Sequence, residues 1–187
     1  YGVADGMGGH KGGETASRVA VQVVKNALSR KKPEEDALRM GLEAANRRVY
    51  GMAGSDENLT GMGTTMTLLW EGERRILIGH VGDSRAYYIT EAGIPRITKD
   101  HSLVESMVDR GDITAEEARR HPSRNLITRA LGPDISADCD GYICPMNAGE
   151  YLLLCSDGLV NTVTDQEMLF EVIHGDGPDT CLDRLLA

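Results

Sequence analysis

Aromatic side chains make up only 4% of this chain, too few for the stacking platform that single-stranded bases need. Positive charge is scarce as well: 20 Lys and Arg stand against 29 Asp and Glu, for a formal charge of −9 and a pI near 5.0. No basic face stands out to neutralise a phosphate backbone, which argues against nucleic acid as a partner. No apolar run approaches the ~18 residues of a membrane span. The four cysteines, Cys139, Cys144, Cys155 and Cys181, form no CxxC pair, and no secretory-type leader is present, so reduced thiols in a cytoplasmic protein are expected.

What is present begins with size. A chain of 187 residues fits one domain, since at this length roughly 70% of the unfolded surface can be buried. The periodicity predicts a helix over Glu14 to Lys32, with Ala16, Val19, Ala20, Val23, Val24, Ala27 and Leu28 at helical spacing. Pro33 ends it and starts a second helix, carried by Leu38, Leu42, Ala45 and Val49 to about Ala53. The texture then turns to β over Thr64 to Trp70, Arg75 to Val81, Ala86 to Ile89 and Ile94 to Thr98, which read as antiparallel hairpins.

Residues 100–131 read as a charged surface excursion with helical stretches at Leu103 to Arg110 and Ala115 to Arg120. Strands resume at Asp138 to Cys144 and Tyr151 to Cys155, and helices close the chain at Asp165 to His174 and Asp179 to Leu186. Helices, then hairpins, then helices again indicate an α+β layered sandwich rather than βαβ units. Both ends read as cut, the first on an apolar strand and the last inside an amphipathic helix, so flanking segments are expected.

Three aspartates each follow a short apolar strand-like run and precede a small residue: Val3-Ala4-Asp5-Gly6, Val81-Gly82-Asp83-Ser84 and Cys155-Ser156-Asp157-Gly158. Singly, each is ordinary turn chemistry. Together they suit an oxygen-only site for Mg²⁺ or Mn²⁺, because converging carboxylates repel unless hard cations lie between them. Zinc is disfavoured for want of a Cys/His cluster. The glycine-dense run 6–13 precedes a helix, yet it is no phosphate loop: Lys11 follows His10 rather than glycine, and it stands where GxGxxG spacing needs its third glycine. Cys155 lacks the arginine of a cysteine phosphatase loop. Asp138-Cys139-Asp140 follows a polar run and reads as a strand edge rather than an aspartyl-phosphate motif.

Six segments carry a family resemblance: Asp-Gly-Met-Gly-Gly-His at 5–10, Gly-Met-Gly-Thr-Thr at 61–65, Gly-His-Val-Gly-Asp-Ser-Arg at 79–85, Lys-Asp-His-Ser at 99–102, Thr-Arg-Ala-Leu-Gly at 128–132 and Leu-Leu-Cys-Ser-Asp-Gly-Leu at 153–159. In order and spacing they resemble the bacterial metal-dependent type 2C serine/threonine protein phosphatases. The resemblance implies a four-layer α-β-β-α sandwich over residues 1–187, with a flap at about 100–131. It implies hydrolysis of phosphoserine and phosphothreonine by a metal-activated water, without a phosphoenzyme. By the same resemblance Asp5 bridges two Mn²⁺ or Mg²⁺ ions, the Gly6 carbonyl binds one, Asp157 binds the other, and Asp83 with Asp157 forms a third, weaker site. Phosphoprotein substrates, a partner serine/threonine kinase and a monomeric state complete what it implies.

Two departures qualify it. Met7 stands where many eukaryotic relatives place a histidine general acid, leaving His10 as the catalytic candidate, with a metal-bound water as rival donor and a structural role as alternative. General-acid help amounts to ~10²–10⁴-fold, so its loss slows hydrolysis without abolishing it. An earlier strand and a final strand that supply further ligands in relatives are not within these residues. The alternative reading is a weak or inactive phosphatase-fold module that binds a phosphoprotein or signalling partner.

Overall fold

The computed structural model describes residues 1–73, 75–145 and 147–186, and for residues 9–11 the backbone only. Elements follow in the order β1 (Gly2–Val3), β2 (Gly6–Met7), α1 (Gly9–Leu28), α2 (Glu35–Ser55), a 3₁₀ turn (Glu57–Leu59), β3 (Gly63–Thr64), β4 (Met66–Glu71), β5 (Arg75–Val81) and β6 (Arg85–Ile89). Then come α3 (Leu103–Asp109), α4 (Ala115–Arg120), β7 (Asp140–Pro145), β8 (Tyr151–Cys155), α5 (Asp157–Val160), α6 (Asp165–His174) and α7 (Pro178–Leu185).

Among the described residues three antiparallel sheets form, ordered β1-β4-β5-β7, β2-β3 and β6-β8. Three apolar clusters lie between the layers. Ala16, Ala20, Val24 and Leu28 of α1 and Leu38, Leu42, Ala45 and Val49 of α2 pack on Met66, Leu77 and Val81 of the larger sheet. Alternate residues of those strands, Leu69, Ile76 and Ile78, turn the other way and meet Ala86, Leu152 and Leu154. The remaining faces of β6 and β8, with Tyr87, Ile89, Leu153 and Cys155, pack against Met168 of α6 and Cys181 and Leu185 of α7. The period of two along each strand thus builds helix, sheet, sheet, helix in that order.

Three expectations need correction. Ile94 to Thr98 is no strand: it meets β6 through an isolated Tyr87↔Arg96 bridge, made by the Ile97 N–H to Ala86 carbonyl and Tyr88 N–H to Pro95 carbonyl bonds, and through the Ala86 N–H to Thr98 Oγ1 bond. The β4–β5 hairpin forms, but β5 takes β7 as its other neighbour and β6 takes β8. A local alternation pattern specifies an extended segment; it does not specify its partner.

The glycine-dense run is the third correction, because α1 begins at Gly9 rather than near Glu14. Glycine inside a helix costs about 0.5–1 kcal/mol relative to alanine. Packing explains it here: a Cβ on Gly13 would lie 2.6 Å from the Gly6 carbonyl oxygen, and one on Gly6 would lie 2.0 Å from that of Gly13. The first turns of α1 therefore lie backbone against backbone on β2.

Candidate metal centre

Asp5 lies between β1 and β2, and its backbone is fixed from a strand far away in sequence. Its N–H donates to Thr65 Oγ1 at 2.9 Å, while its carbonyl accepts from the Thr65 N–H and the Thr64 hydroxyl, each at 2.9 Å. Thr65 Oγ1 also lies 2.8 Å from Ser84 Oγ. One threonine therefore ties the Asp5 turn to the residue beside Asp83. Gly82, with φ near 106°, leaves no room for a side chain, since a Cβ would sit 2.5 Å from Thr65 Cγ2. Asp157 follows β8 and opens α5, where Asn161 Nδ2 donates to its Oδ2 at 3.4 Å.

The Asp5 and Asp157 carboxyl groups face each other within hydrogen-bonding reach. Burial raises the Asp5 pKa above the ordinary carboxylate range, the charge and hydrogen bond of Asp157 raise it further, and the Gly6 N–H opposes them. Asp83 is 9% exposed. Its pKa is pushed up to about 6, first by burial and then by the charges of Asp157, Asp100 and Asp5.

The three predicted aspartates thus occupy one end of the sandwich and act on one another electrostatically, but they do not close a ring. Among the described residues, no three His, Cys, Asp or Glu side chains surround a common point closely enough to hold a metal ion. The acid-only pair Asp5–Asp157 fits part of the shell of a hard divalent cation, which takes oxygen donors and completes its sphere with water. The Gly6 carbonyl lies against the backbone of Gly13. The His10 side chain falls outside the described residues.

Thiol chemistry has no support here. Burial pushes the Cys155 thiol up to about 11 and that of Cys139 up to about 12, far from a thiolate nucleophile. A cavity of about 560 Å³ opens beside the carboxylates, lined by Asp83, Asp157 and Arg85 on the sandwich side and by Arg119 and Arg124 across the excursion.

Against this geometry stand the comparisons with known proteins. The family model described as protein phosphatase 2C matches residues 2–175. The chain belongs to the protein phosphatase 2C family. The serine/threonine phosphatase stp of Listeria monocytogenes is 38% identical over 172 residues, covering 89% of this chain and 68% of that protein. The crystal structure of the serine/threonine phosphatase Stp1 from Staphylococcus aureus superposes with a TM-score of 0.93 at 37% identity, over 99% of this chain and 75% of that one. A PstP catalytic domain solved in complex with two manganese ions matches at 32% identity and a TM-score of 0.84, over 99% of this chain and 78% of that one.

Within this protein phosphatase 2C chain, several polar residues to which the sequence assigned no role support the site, although all but Thr67 stand in the motif segments 79–85 and 99–102. Thr67 Oγ1 lies 3.0 Å from both His80 Nδ1 and the Ser84 carbonyl oxygen, and its one hydroxyl hydrogen serves one of these acceptors at a time. His80 Nε2 lies 2.9 Å from the Lys99 carbonyl oxygen. Burial, then the neighbouring His101, depress the His80 pKa to about 4, so the ring is neutral and Nε2 carries the proton. Arg85 clasps Asp100 through Nε at 2.9 Å and Nη2 at 2.6 Å. The available signal was polarity out of place, a threonine and a histidine inside strands that are otherwise apolar.

Proposed function

We infer that this chain is a metal-dependent serine/threonine protein phosphatase that hydrolyses phosphoserine and phosphothreonine in proteins. The observation that carries this reading is the facing pair Asp5 and Asp157, two half-buried carboxylates held at the ends of different strands, in a chain of the protein phosphatase 2C family. Divalent metal is its cofactor, Mn²⁺ or Mg²⁺, at two sites with a third, weaker one.

Asp5 and Asp157 would hold the principal ions with the Gly6 carbonyl, and Asp83 with Asp157 would hold the third. When bound, the cations supply a water of lowered pKa and neutralise charge on the phosphoryl oxygens. The protein's own part is positional. Thr64 and Thr65 fix the Asp5 backbone, so the point from which its carboxylate extends does not depend on the ion. Asn161 orients Asp157. The cavity beside Asp83 admits the phosphorylated side chain and its flanking peptide, with the Arg119 and Arg124 guanidinium groups on the opposite wall. His10 is the side chain proposed to donate a proton to the leaving alkoxide. The chain acts as one body over residues 1–187, with residues 100–131 as a flap. Phosphoproteins, made by a serine/threonine kinase, are its partners as a monomer in the cytoplasm; among the described residues no helix is long and apolar enough to cross a membrane.

The test is manganese-dependent release of phosphate from a phosphothreonine peptide, with Asp5→Asn and Asp157→Asn as controls. Each variant is expected to lose ~10²–10³-fold, the scale of removing a preorganised electrostatic group. Equal background rates in all three proteins would replace this reading with that of a phosphatase-fold binding module.

A further inference from the structure

The Lys-Asp-His-Ser segment carries a histidine that the phosphatase reading leaves without a task. His101 is 7% exposed and stands at the neck of the 100–131 excursion. The neck is closed by one antiparallel bridge, Ser102 to Ile127, made by two hydrogen bonds: the Thr128 N–H donates to the His101 carbonyl at 2.8 Å and the Leu103 N–H to the Leu126 carbonyl at 2.9 Å. The same residue grips the Asp83 turn twice. Its backbone N–H donates to the Gly82 carbonyl at 2.7 Å, and its ring Nδ1 accepts from the Gly82 N–H at 3.2 Å.

An amide N–H is an obligatory donor, so Nδ1 is the unprotonated nitrogen and Nε2 bears the hydrogen. That hydrogen points to Asp140 Oδ2 at 3.2 Å, which also accepts from the Tyr142 hydroxyl at 3.2 Å. Arg129 Nη1 lies 3.4 Å from the same Nε2 and 3.4 Å from Asp140 Oδ1. Two donors do not bond each other, so Arg129 acts through the carboxylate. The result is one continuous chain: Asp140 holds the imidazole in a single tautomer, the imidazole holds Gly82, and Gly82 at φ 106° sets the direction in which Asp83 leaves β5.

We propose that His101 is a positioning residue that locks the Gly82–Asp83 turn to the neck of the flap, so that the Asp83 carboxylate and the seating of the flap are set together. Its effect on manganese rests on the phosphatase reading above; its grip on Gly82 does not.

Three variants separate this role from plain packing. His101→Leu keeps bulk and removes both ring nitrogens. His101→Asn keeps an acceptor near Nδ1, and His101→Gln places its amide near Nε2. Hydrogen exchange of the Gly82 amide, followed by NMR on the metal-free protein, is expected to be about tenfold faster in the leucine variant and within about threefold of wild type in the asparagine variant. The manganese concentration for half-maximal hydrolysis of an aryl phosphate is expected to rise by a similar factor in the leucine variant, with kcat retained at saturating metal, and to fall back with asparagine. If leucine prevents folding, glutamine takes its place, with the same expected contrast to asparagine. Equal Gly82 exchange in wild type and the leucine or glutamine variant, or asparagine no better than either, overturns the proposal. A wild-type protein without manganese-dependent hydrolysis sinks the phosphatase reading instead, and the exchange data still decide the clamp.

Discussion

The carboxylate end of the sandwich and the 100–131 excursion are built on opposite principles. Around Asp5 and Asp83 the hydrogen bonds are long-range and at least partly buried: Asp5 N–H to Thr65 Oγ1, and Thr65 Oγ1 with Ser84 Oγ, join segments far apart in the chain. At α4, the outer part of the excursion, they are short-range and exposed. α4 is held by a capping box in which Thr114 Oγ1 accepts from the Glu117 N–H and Glu117 accepts from the Thr114 N–H, and Arg120 pairs with Glu116 one turn away. The first arrangement resists displacement of any one group; the second lets the element form by itself and move as a unit. A centre of repelling acids needs the former.

The junction of the two regions is where this contrast breaks most readily. Asp100 has a side chain only 8% exposed, bound by Arg85 and approached by Arg96 at 3.4 Å, which in turn bonds Glu105 of α3. Arg85→Ala leaves that carboxylate with its main partner gone, and a loss of about 3 kcal/mol is expected, read as a lower urea midpoint.

A smaller effect sharpens the electrostatic side. Asp83 has a folded pKa raised to about 6, from an ordinary value of 3.8. A raised carboxylate pKa means stability that is whole below the unfolded pKa and lost as pH rises through the folded one. Buried His80, depressed to about 4, works in the opposite direction over the same range. The difference between Asp83→Asn and wild type isolates the acid. In metal-free protein the variant's advantage is expected to grow from pH 4 to pH 6–7 and level off on the order of 2 kcal/mol, followed by denaturation at each pH. On the proposed role of Asp83 as a metal ligand, saturating manganese is expected to reverse it in favour of aspartate.

The smallest effect belongs to the excursion. Thr114→Ala removes the α4 cap and is expected to cost about 1 kcal/mol locally. It should quicken amide exchange in α4 and leave aryl phosphate hydrolysis unchanged. A large fall in the global unfolding midpoint would show that the two regions are not separable in this way.

Elements governed by neighbours in the chain were legible in the sequence: β8 and α6 fall at their predicted limits, and α4 does as well. Apolar alternation and Ser/Thr caps with Glu three residues on are local signals. The start of α1 was not legible, because the glycines that look like a loop are helical and are required by the approach of Gly13 to Gly6. The choice of β7 and β8 as partners, and the failure of Ile94 to Thr98 to form a strand, were not legible either.

By itself the amino-acid order determined which acids lie at the ends of strands, which faces are apolar, and the family to which those motifs belong. Only the tertiary structure decided that the carboxyl groups of Asp5 and Asp157 face each other, that Asp83 stands near without completing the ring, and that His101 grips Gly82. The physical reason is register. A side chain's direction at a strand end follows from which strand lies beside it and at what offset, and those contacts form between residues that no local pattern connects.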